Sequence, residues 1–467
     1  MSFERKISIM EEQSIFDNIS PIDYRYRDEE NVWYLSENAS TEYKLMMEEA
    51  LINAFHRRTF CSGEVVKEIE AACDEIRTAE VYEEEDRIHH DIRALVNCIR
   101  AKVSDSAKPY VHMTATSYDI IDSANAARYK DAIENVLIVS LLDLEKVLID
   151  ITLREADTLQ IGRTHGQHAI PITFGFAMAG FVSRLGNCIQ TLKRLAAELP
   201  GKFSGAVGAY NALFLFFNDP ERFEESVLEE LGLKPAEHST QIVPPEALIR
   251  LFCEVTLTVG VLANLADDMR NLQRTEIAEV GEGFEANQVG SSTMAHKRNP
   301  INFENVKSSW KVIMPRIITL FMDQISEHQR DLTNSMSGRT YGEMIAYAVL
   351  TAKRLTRTMK KLVVDNDSLQ RNFAMQARLI VAEPLYLILA VLGHPDAYEK
   401  VCTLIVKARA EDQTLENIIT YDAEMREYLE KMTPHQRMIL AHPDYYVGIA
   451  AKKAQQIATR WKKEFAI

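Results

Sequence analysis

Long runs of apolar residues at helical spacing most constrain what this chain can fold into. From residue 123 to about 158 apolar positions recur every three or four residues, and a second apolar stripe covers another face. Similar runs lie at about 172–198, 245–280, 300–328 and 340–363, most of them separated by proline or glycine. A helix that is apolar on several faces belongs in a bundle interior. The sequence therefore predicts an all-α fold with five long helices.

Shorter helical segments flank these five helices on both sides. Residues 1–112 contain such segments and an acidic cluster at 83–86, and turns become frequent after about residue 364. The predicted organisation is three helical domains, at 1–112, 113–363 and 364–467, with an elongated five-helix bundle in the middle. One subunit cannot cover so many apolar faces, so a homo-oligomer is our hypothesis.

The charge balance excludes some classes of partner. The formal net charge is −15, whereas proteins that bind nucleic acids or anionic membranes need a broad positive surface. Two weakly charged stretches could be mistaken for membrane spans. The stretch 164–183 is broken by glycine and proline, and the stretch 255–266 is too short to cross a membrane. We therefore expect no nucleic-acid partner and no membrane partner.

The cysteines and the first residues bear on the cellular compartment. The six cysteines are scattered without a Cys-x-x-Cys pair, which suggests neither a zinc ribbon nor a disulfide framework. The chain begins without the apolar core of a signal peptide. We predict reduced thiols and a cytoplasmic location.

Residues 290–300, Gly-Ser-Ser-Thr-Met-Ala-His-Lys-Arg-Asn-Pro, point to an enzyme that handles anions. Pro300 suits the first position of a helix, and Asn299 is a good N-cap. Lys297 is therefore expected beside free backbone N–H groups and the positive end of a helix dipole, which together hold a carboxylate or phosphate. Gly-Ser-Ser alone would favour an ordinary capped loop. The full eleven-residue string is far more specific.

This string resembles the signature Gly-Ser-Ser-x-Met-Pro-x-Lys-x-Asn-Pro of the fumarase/aspartase superfamily, from which only Ala295 departs. Within that superfamily, the run around Lys297 is most similar to members that act on N-succinyl purine nucleotides. The resemblance implies a homotetramer with a twenty-helix core, in which three subunits build each active site. It also implies a small purine nucleotide substrate that loses fumarate by β-elimination. No cofactor is expected.

The resemblance assigns four catalytic residues. Ser291 is the expected base, and its serinate would need stabilisation by Lys297 and loop N–H groups. His165, in Thr-His-Gly-Gln, is the expected acid that protonates the leaving nitrogen. Glu304 lies seven residues after Lys297 on the same helix face, and in the superfamily a glutamate at this spacing pairs with the histidine. A polar surface histidine and a surface glutamate are the alternatives. Because no cysteine or carboxylate accompanies His165 and His168 at ligand spacing, no metal site is predicted.

Other strings resemble substrate contacts of the same group of enzymes. Thr116 and Ser117 are expected to donate hydrogen bonds to a carboxylate, although both also suit helix capping. Arg330, Ser335 and Arg339 match a segment that grips the nucleotide phosphate, and a solvated charge cluster is the alternative. The remaining expected contacts, among which His90 is favoured over its neighbour, are Arg25, Tyr26, His89, His90, Asp91, Gln241, Ser292, Met294, Arg298, Asn299 and Asn305.

Two other functions stay open at this point. The first is a superfamily lyase that acts on argininosuccinate, fumarate or aspartate, against which the arginine-hydroxyl run at 330–339 speaks. The second is a catalytically silent member that serves as a structural or binding protein. Ala295, and Thr114 in place of the usual glycine, leave that possibility open, but the four intact catalytic positions oppose it.

Overall fold

The computed structural model describes residues 18–283, 293–294, 296–326 and 328–467, which are mainly helical. In these parts of the chain the α-helices are α1 Glu29–Leu35, α2 Glu37–Arg57, α3 Gly63–Glu75, α4 Thr78–Ile88, α5 Asp91–Lys102, α6 Ser117–Ala132, α7 Ile138–Arg154, α8 Phe174–Ala197, α9 Pro220–Leu228, α10 Glu246–Leu272, α11 Ile301–Ile313, α12 Arg316–Met322, α13 Tyr341–Lys360, α14 Asn366–Ile380, α15 Ala382–Val391, α16 Ala397–Ala410, α17 Leu415–Tyr421, α18 Met425–Lys431, α19 Pro434–Ala441 and α20 Ala450–Phe465. The predicted all-α fold is confirmed.

Four of the five predicted long helices are present. One π-helical turn, Ile133–Leu137, joins α6 and α7 into a single helical run, and α8, α10 and α13 match three further predictions. The predicted helix at 300–328 is interrupted, because α11 ends at Ile313 and α12 begins at Arg316. Pro315 between them lacks the N–H that a continuous helix needs, and its ring clashes with the preceding turn. This proline explains the break.

The chain divides into two compact units. The first consists of the described residues up to 141 together with 187–262 and 308–353; the second consists of 142–186, 354–467 and the described part of 263–307. In the first unit α2 and α9 meet through an aromatic cluster, in which the Phe55 and Phe223 ring centroids are 5.1 Å apart and those of Phe217 and Phe223 are 4.9 Å apart. Buried aromatic rings supply much of the core energy of such a unit.

The second unit has its own apolar core. Helices α15 to α17 pack through buried aliphatic residues such as Leu385, Leu404 and Leu415. Helix α20 packs on α8 through Trp461, which is 1% exposed. A β-carbon on Gly186 would come within 2.5 Å of the Trp461 ring, so only glycine allows this close approach.

The described strands form three two-stranded ladders. The longest is an antiparallel hairpin of β1 Leu159–Thr164 and β2 Gln167–Thr173 in the second unit. The others pair two residues per strand: β3 Pro200–Gly201 with β4 Lys234–Pro235, and β5 Val280–Gly281 with β6 Val363–Val364. The hairpin matters most, because it positions a predicted catalytic histidine.

Two described helical runs are long and apolar enough to cross a membrane. They are Glu246–Leu272, whose most apolar window is 56% buried within the chain, and Asn366–Val391, which is interrupted at Val381. The first is longer than the apolar stretch at 255–266 that the sequence indicated. A core helix passes the same test, so these runs are weak evidence for a membrane span.

Glu145 on α7 gives a testable pH dependence of stability. Its carboxyl group is fully buried, and neither oxygen has a hydrogen-bond partner within the described chain. Burial raises its pKa to about 9, so the folded state holds a proton that the unfolded chain releases near a pH of ~4.3. Because the pKa of Glu145 is higher in the folded state, the contribution of this group to the free energy of unfolding is fully present below its unfolded-state pKa. That contribution is lost as the pH rises through about 9.

We therefore expect the free energy of unfolding of the wild type to fall between about pH 5 and 8, and Glu145→Gln to remove part of that slope. Chemical denaturation at several pH values measures both slopes. Asp143→Asn, at an exposed position on the same helix, is the matched control and should leave the slope unchanged. Equal slopes for Glu145→Gln and the wild type would contradict this account.

Candidate active site

His165 lies at the tip of the β1–β2 hairpin. Thr164 pairs with Gln167, which leaves His165 and Gly166 as the two turn residues. Both have positive φ, 54° and 74°, as a type I′ turn requires. This backbone region is uncommon for histidine, and such strained residues concentrate at functional sites. The imidazole is exposed, which suits a group that must reach a substrate.

A buried carboxylate holds the base of this hairpin. Glu279 is 0% exposed and accepts hydrogen bonds from Gln160 Nε2 at 2.8 Å, from both Arg163 Nη atoms at 3.0 and 2.5 Å, and from Asn372 Nδ2 at 2.9 Å. A buried carboxylate is tolerated only when it is paired and hydrogen-bonded in this way. Glu279 therefore fixes β1 behind His165. Sequence reasoning did not identify Glu279, since it is an isolated glutamate without a motif.

The predicted anion site at the start of α11 differs from the expectation. The helix begins at Ile301, one residue later than expected, and the Glu304 N–H donates to the Pro300 carbonyl at 3.0 Å. Pro300 is therefore the N-cap in place of Asn299. Lys297 is exposed, and its N–H donates to the Met294 carbonyl at 3.0 Å.

Glu282 occupies the N-terminus of α11. Its Oε1 accepts the N–H groups of Asn302 and Phe303, both at 2.9 Å, and its Oε2 accepts Asn302 Nδ2 at 2.8 Å. The Ile301 N–H donates to the Asn299 carbonyl at 2.9 Å. The expectation of free N–H groups beside Lys297 is therefore wrong, because an internal carboxylate already uses the positive end of the helix dipole. A bound anion must rely on side chains such as Lys297.

Glu282→Ala should destabilise the protein by about 2–4 kcal/mol, since it leaves two backbone donors of a helix start without their acceptor. Glu282→Gln keeps one carbonyl oxygen and should lose less. Urea denaturation measures both, with Glu276→Ala as a control at an exposed position of the same segment. If Glu282→Ala is as stable as the control, Glu282 is not the cap.

The other predicted residues of the second unit lie near the start of α11. Glu304 is exposed on its first turn, Asn305 follows it, and the Arg298 carbonyl accepts Gln273 Nε2 at 3.4 Å. Among the described residues no hydrogen bond or ion pair joins Glu304 to His165. Ser291 and Ser292 lie outside the described residues, as does Ala295.

The first unit brings Thr116 and Gln241 together. Gln241 Nε2 donates to Thr116 Oγ1 at 3.5 Å, and the Thr116 N–H donates to Asp119 Oδ2 at 2.8 Å. Thr116 lies at the N-cap of α6, in the capping role that the sequence suggested, whereas Ser117 is the first residue of the helix. Asp119 is fully buried, forms an ion pair with Lys202 and accepts the Ser204 N–H at 3.0 Å. The start of α6 is therefore firmly held.

The predicted phosphate segment contains two arginines with different surroundings. Arg330 Nη1 donates to the Asp331 carbonyl and, at 2.9 Å, to Asn334 Oδ1. Exposed Arg339 donates to Ser335 Oγ at 3.1 Å. Their role as phosphate contacts stays a prediction, and the sequence did not indicate these internal contacts.

Arg339 also connects this segment to the predicted His-His-Asp string. Arg339 Nη2 lies 3.9 Å from Asp91 Oδ2. His89 ends α4 with φ at 59°, whereas His90 is the N-cap of α5 and its Nδ1 accepts the Arg93 N–H at 3.3 Å. Three predicted substrate contacts therefore lie close together within the first unit: His90, Asp91 and Arg339.

Arg25 and Tyr26 follow the short 3₁₀ turn Pro21–Asp23 of the first unit. Arg25 is exposed, and Tyr26 contacts Tyr347 edge-to-face with ring centroids 6.4 Å apart.

In the part of the chain that the structure describes, no group of three or more His, Cys, Asp or Glu residues could hold a metal ion.

Comparison with known proteins identifies the family. A family model described as lyase matches residues 25–314, and a model of the adenylosuccinate lyase C-terminal region matches residues 326–438. A curated adenylosuccinate lyase of Pyrococcus abyssi is 35% identical over 94% of this chain and 97% of its own length. The chain belongs to the adenylosuccinate lyase family. It is therefore a lyase of the fumarase/aspartase superfamily, as the signature string predicted.

Further comparisons agree with this membership. The adenylosuccinate lyase of Archaeoglobus fulgidus is 33% identical over 96% of this chain and 99% of its own length. Among solved structures, a 3-carboxy-cis,cis-muconate lactonizing enzyme from Pseudomonas putida matches with a TM-score of 0.82 and 24% identity, over 96% of this chain and 99% of that one. A fumarate lyase from Mesorhizobium matches with a TM-score of 0.80 and 21% identity, over 93% of this chain and 98% of that one. These two structures support the fold alone.

Proposed function

We propose that this member of the adenylosuccinate lyase family releases fumarate from adenylosuccinate to give AMP, and from succinylocarboxamide ribotide to give the carboxamide ribotide, in purine biosynthesis. The observation that carries the proposal is the 35% identity to a curated adenylosuccinate lyase over nearly the whole of both chains. The arginines at 330 and 339, both in the segment predicted to grip phosphate, support a nucleotide rather than argininosuccinate or malate.

In the proposed mechanism Ser291 removes a proton from the carbon next to a substrate carboxylate. The electron pair enters that carboxylate and forms an aci-carboxylate with two negative charges. Lys297 and Asn299 would stabilise this charge, without help from the α11 N–H groups that Glu282 occupies. The electrons then form the carbon–carbon double bond of fumarate as the C–N bond breaks. His165 protonates the departing nitrogen.

The remaining predicted contacts complete the proposed site. Thr116, Ser117 and Gln241 are proposed to bind a succinyl carboxylate, since hydroxyl and amide donors suit carboxylate oxygens. The contacts proposed for the nucleotide and for the loop are Arg25, Tyr26, His89, His90, Asp91, Ser292, Met294, Arg298, Asn305, Arg330, Ser335 and Arg339.

We also propose a cytoplasmic homotetramer with a three-domain subunit, in which three subunits share each active site. Exposed apolar side chains in and after α12 support burial between subunits, since Met322 is 70% and Ile325 78% exposed in the single chain. Within the described residues no hydrogen bond or ion pair joins His165 to Glu304, which agrees with a pair formed between subunits. Sedimentation at equilibrium would test the tetramer, and a monomer at micromolar concentration would contradict it.

The activity is tested by mixing the purified protein with adenylosuccinate and following the absorbance change as AMP and fumarate form. Argininosuccinate and malate, assayed in parallel, are the alternative substrates. Turnover of adenylosuccinate alone would support the proposal. Turnover of another substrate instead would indicate a different superfamily lyase, and no turnover of any would favour a silent structural member.

A further inference from the structure

Arg330 presents an unused edge of its guanidinium group. Its Nη1 donates to the Asp331 carbonyl and to Asn334 Oδ1, whereas Nε and Nη2 are shielded from water and have no hydrogen-bond partner among the residues that the structure describes. The N–H groups of Nε and Nη2 point in parallel, so this edge can donate to two oxygens of one phosphate or carboxylate. Buried donors without acceptors are costly, and native proteins rarely keep them without a reason.

The face of the same guanidinium group lies on Tyr118. Arg330 Cζ is 3.8 Å from the centre of the Tyr118 ring, which is the separation of a direct stack. Stacking leaves the in-plane N–H donors available, because the ring contacts only the flat face. Stacking therefore orients the unused edge and leaves its Nε and Nη2 donors available.

Tyr118 is well placed to be a rigid support. It is the second residue of α6, directly after the Thr116 cap and Ser117. Its neighbour Asp119 is fully buried and accepts hydrogen bonds from the Thr116, Ser204 and Gly205 N–H groups, at 2.8, 3.0 and 3.2 Å. The backbone that carries the ring is thus tied to two parts of the first unit. Arg330, by contrast, lies outside any helix or strand.

We propose that Tyr118 is a positioning residue for anion binding, whose ring holds the Arg330 guanidinium so that Nε and Nη2 face the substrate phosphate. This inference rests on the proposed function, because the phosphate is that of the nucleotide substrate. Burial also lowers the pKa of Arg330, as expected for a cation held away from water, and a bound phosphate would offset that cost. Tyr118 itself need not touch the substrate.

Three variants test the proposal. Tyr118→Phe keeps the aromatic face, Tyr118→Leu replaces it with a smaller apolar side chain that has no aromatic face, and Arg330→Gln removes the proposed donor. For each we would measure KM and kcat with adenylosuccinate, and AMP and adenosine binding by calorimetry. Thermal unfolding of each variant checks that it is folded.

We expect Tyr118→Phe to match the wild type, whereas Tyr118→Leu should weaken AMP binding and raise KM roughly tenfold with little change in kcat. Adenosine lacks the phosphate, so its binding should be the same in the wild type and Tyr118→Leu. If the Tyr118 ring merely stabilised the fold, Tyr118→Leu would change the binding of AMP and of adenosine alike.

Two results would overturn the proposal. One is a Tyr118→Leu variant that binds AMP as the wild type does while Arg330→Gln binds it weakly; the other is a Tyr118→Phe variant as weak as Tyr118→Leu. If the wild type does not cleave adenylosuccinate but the variants keep the expected order of AMP binding, the proposed function fails and the role of Tyr118 stands. If the wild type does not bind AMP either, both fail.

Discussion

Ser291→Ala should lower kcat for adenylosuccinate by about a thousandfold or more, the usual contribution of a base that moves a proton in the transition state. The serine hydroxyl is the proposed acceptor of the substrate proton, and alanine offers no group in its place. Binding should persist, because the arginines and hydroxyls proposed to hold the substrate are unchanged. Steady-state turnover and equilibrium binding of adenylosuccinate to the variant measure the two effects separately.

Thr293→Ala is the matched control, since it removes a hydroxyl two residues away in the same string. It should retain most of the activity. A Ser291→Ala enzyme with near-wild-type turnover would exclude Ser291 as the base. Loss of both binding and turnover in Ser291→Ala would instead indicate a residue that holds the substrate.

His165→Asn should lower kcat by about a hundredfold to ten-thousandfold, because asparagine cannot supply a proton near neutral pH. Asparagine is the substitution of choice, since it tolerates positive φ at this hairpin position better than most residues do. The turn should survive, and thermal unfolding can verify this. His168→Asn, at a half-buried position in the same hairpin, is the control and should remain active.

The same variants test whether subunits share active sites. If Ser291 and His165 of one site come from different subunits, mixed tetramers of the two inactive variants contain some sites with both residues intact. Random assembly would restore about a quarter of the sites. Refolding or dissociating and reassociating an equal mixture, followed by the turnover assay, measures this. Activity no higher than that of the separate variants would contradict sharing between these two residues.

Much of the fold could be predicted because helices depend on local spacing. The apolar stripes at 123–158 overlap the helical run of α6 and α7, which ends at Arg154, and those at 172–198 coincide with α8 within two residues. The break at Pro315 was missed, although the proline was visible, because periodicity continued across it. The hairpin around His165 was also missed, since short strands between long helices carry little periodic signal.

The candidate site was predicted only in part. Residue types and their order along the chain indicated Lys297, His165 and the arginines, because a contiguous string carries that information. The expectation that a substrate anion would bind the N–H groups at the start of α11 was wrong. Glu282, which is distant from the helix along the chain, accepts hydrogen bonds from those N–H groups instead. No local pattern indicates which glutamate will reach a given helix start.

By itself the sequence determined that this chain is helical and that it belongs among the fumarase/aspartase lyases, because helix spacing and contiguous motifs are local properties of a chain. Only the tertiary structure decided which other residues contact the motif residues and hold them in position. Glu279 holds the His165 hairpin from 119 residues away along the chain, measured from Gln160, and the Tyr118 ring stacks on Arg330, which lies still farther away along the chain. Such partners depend on how helices pack, and packing brings together residues that no spacing rule relates.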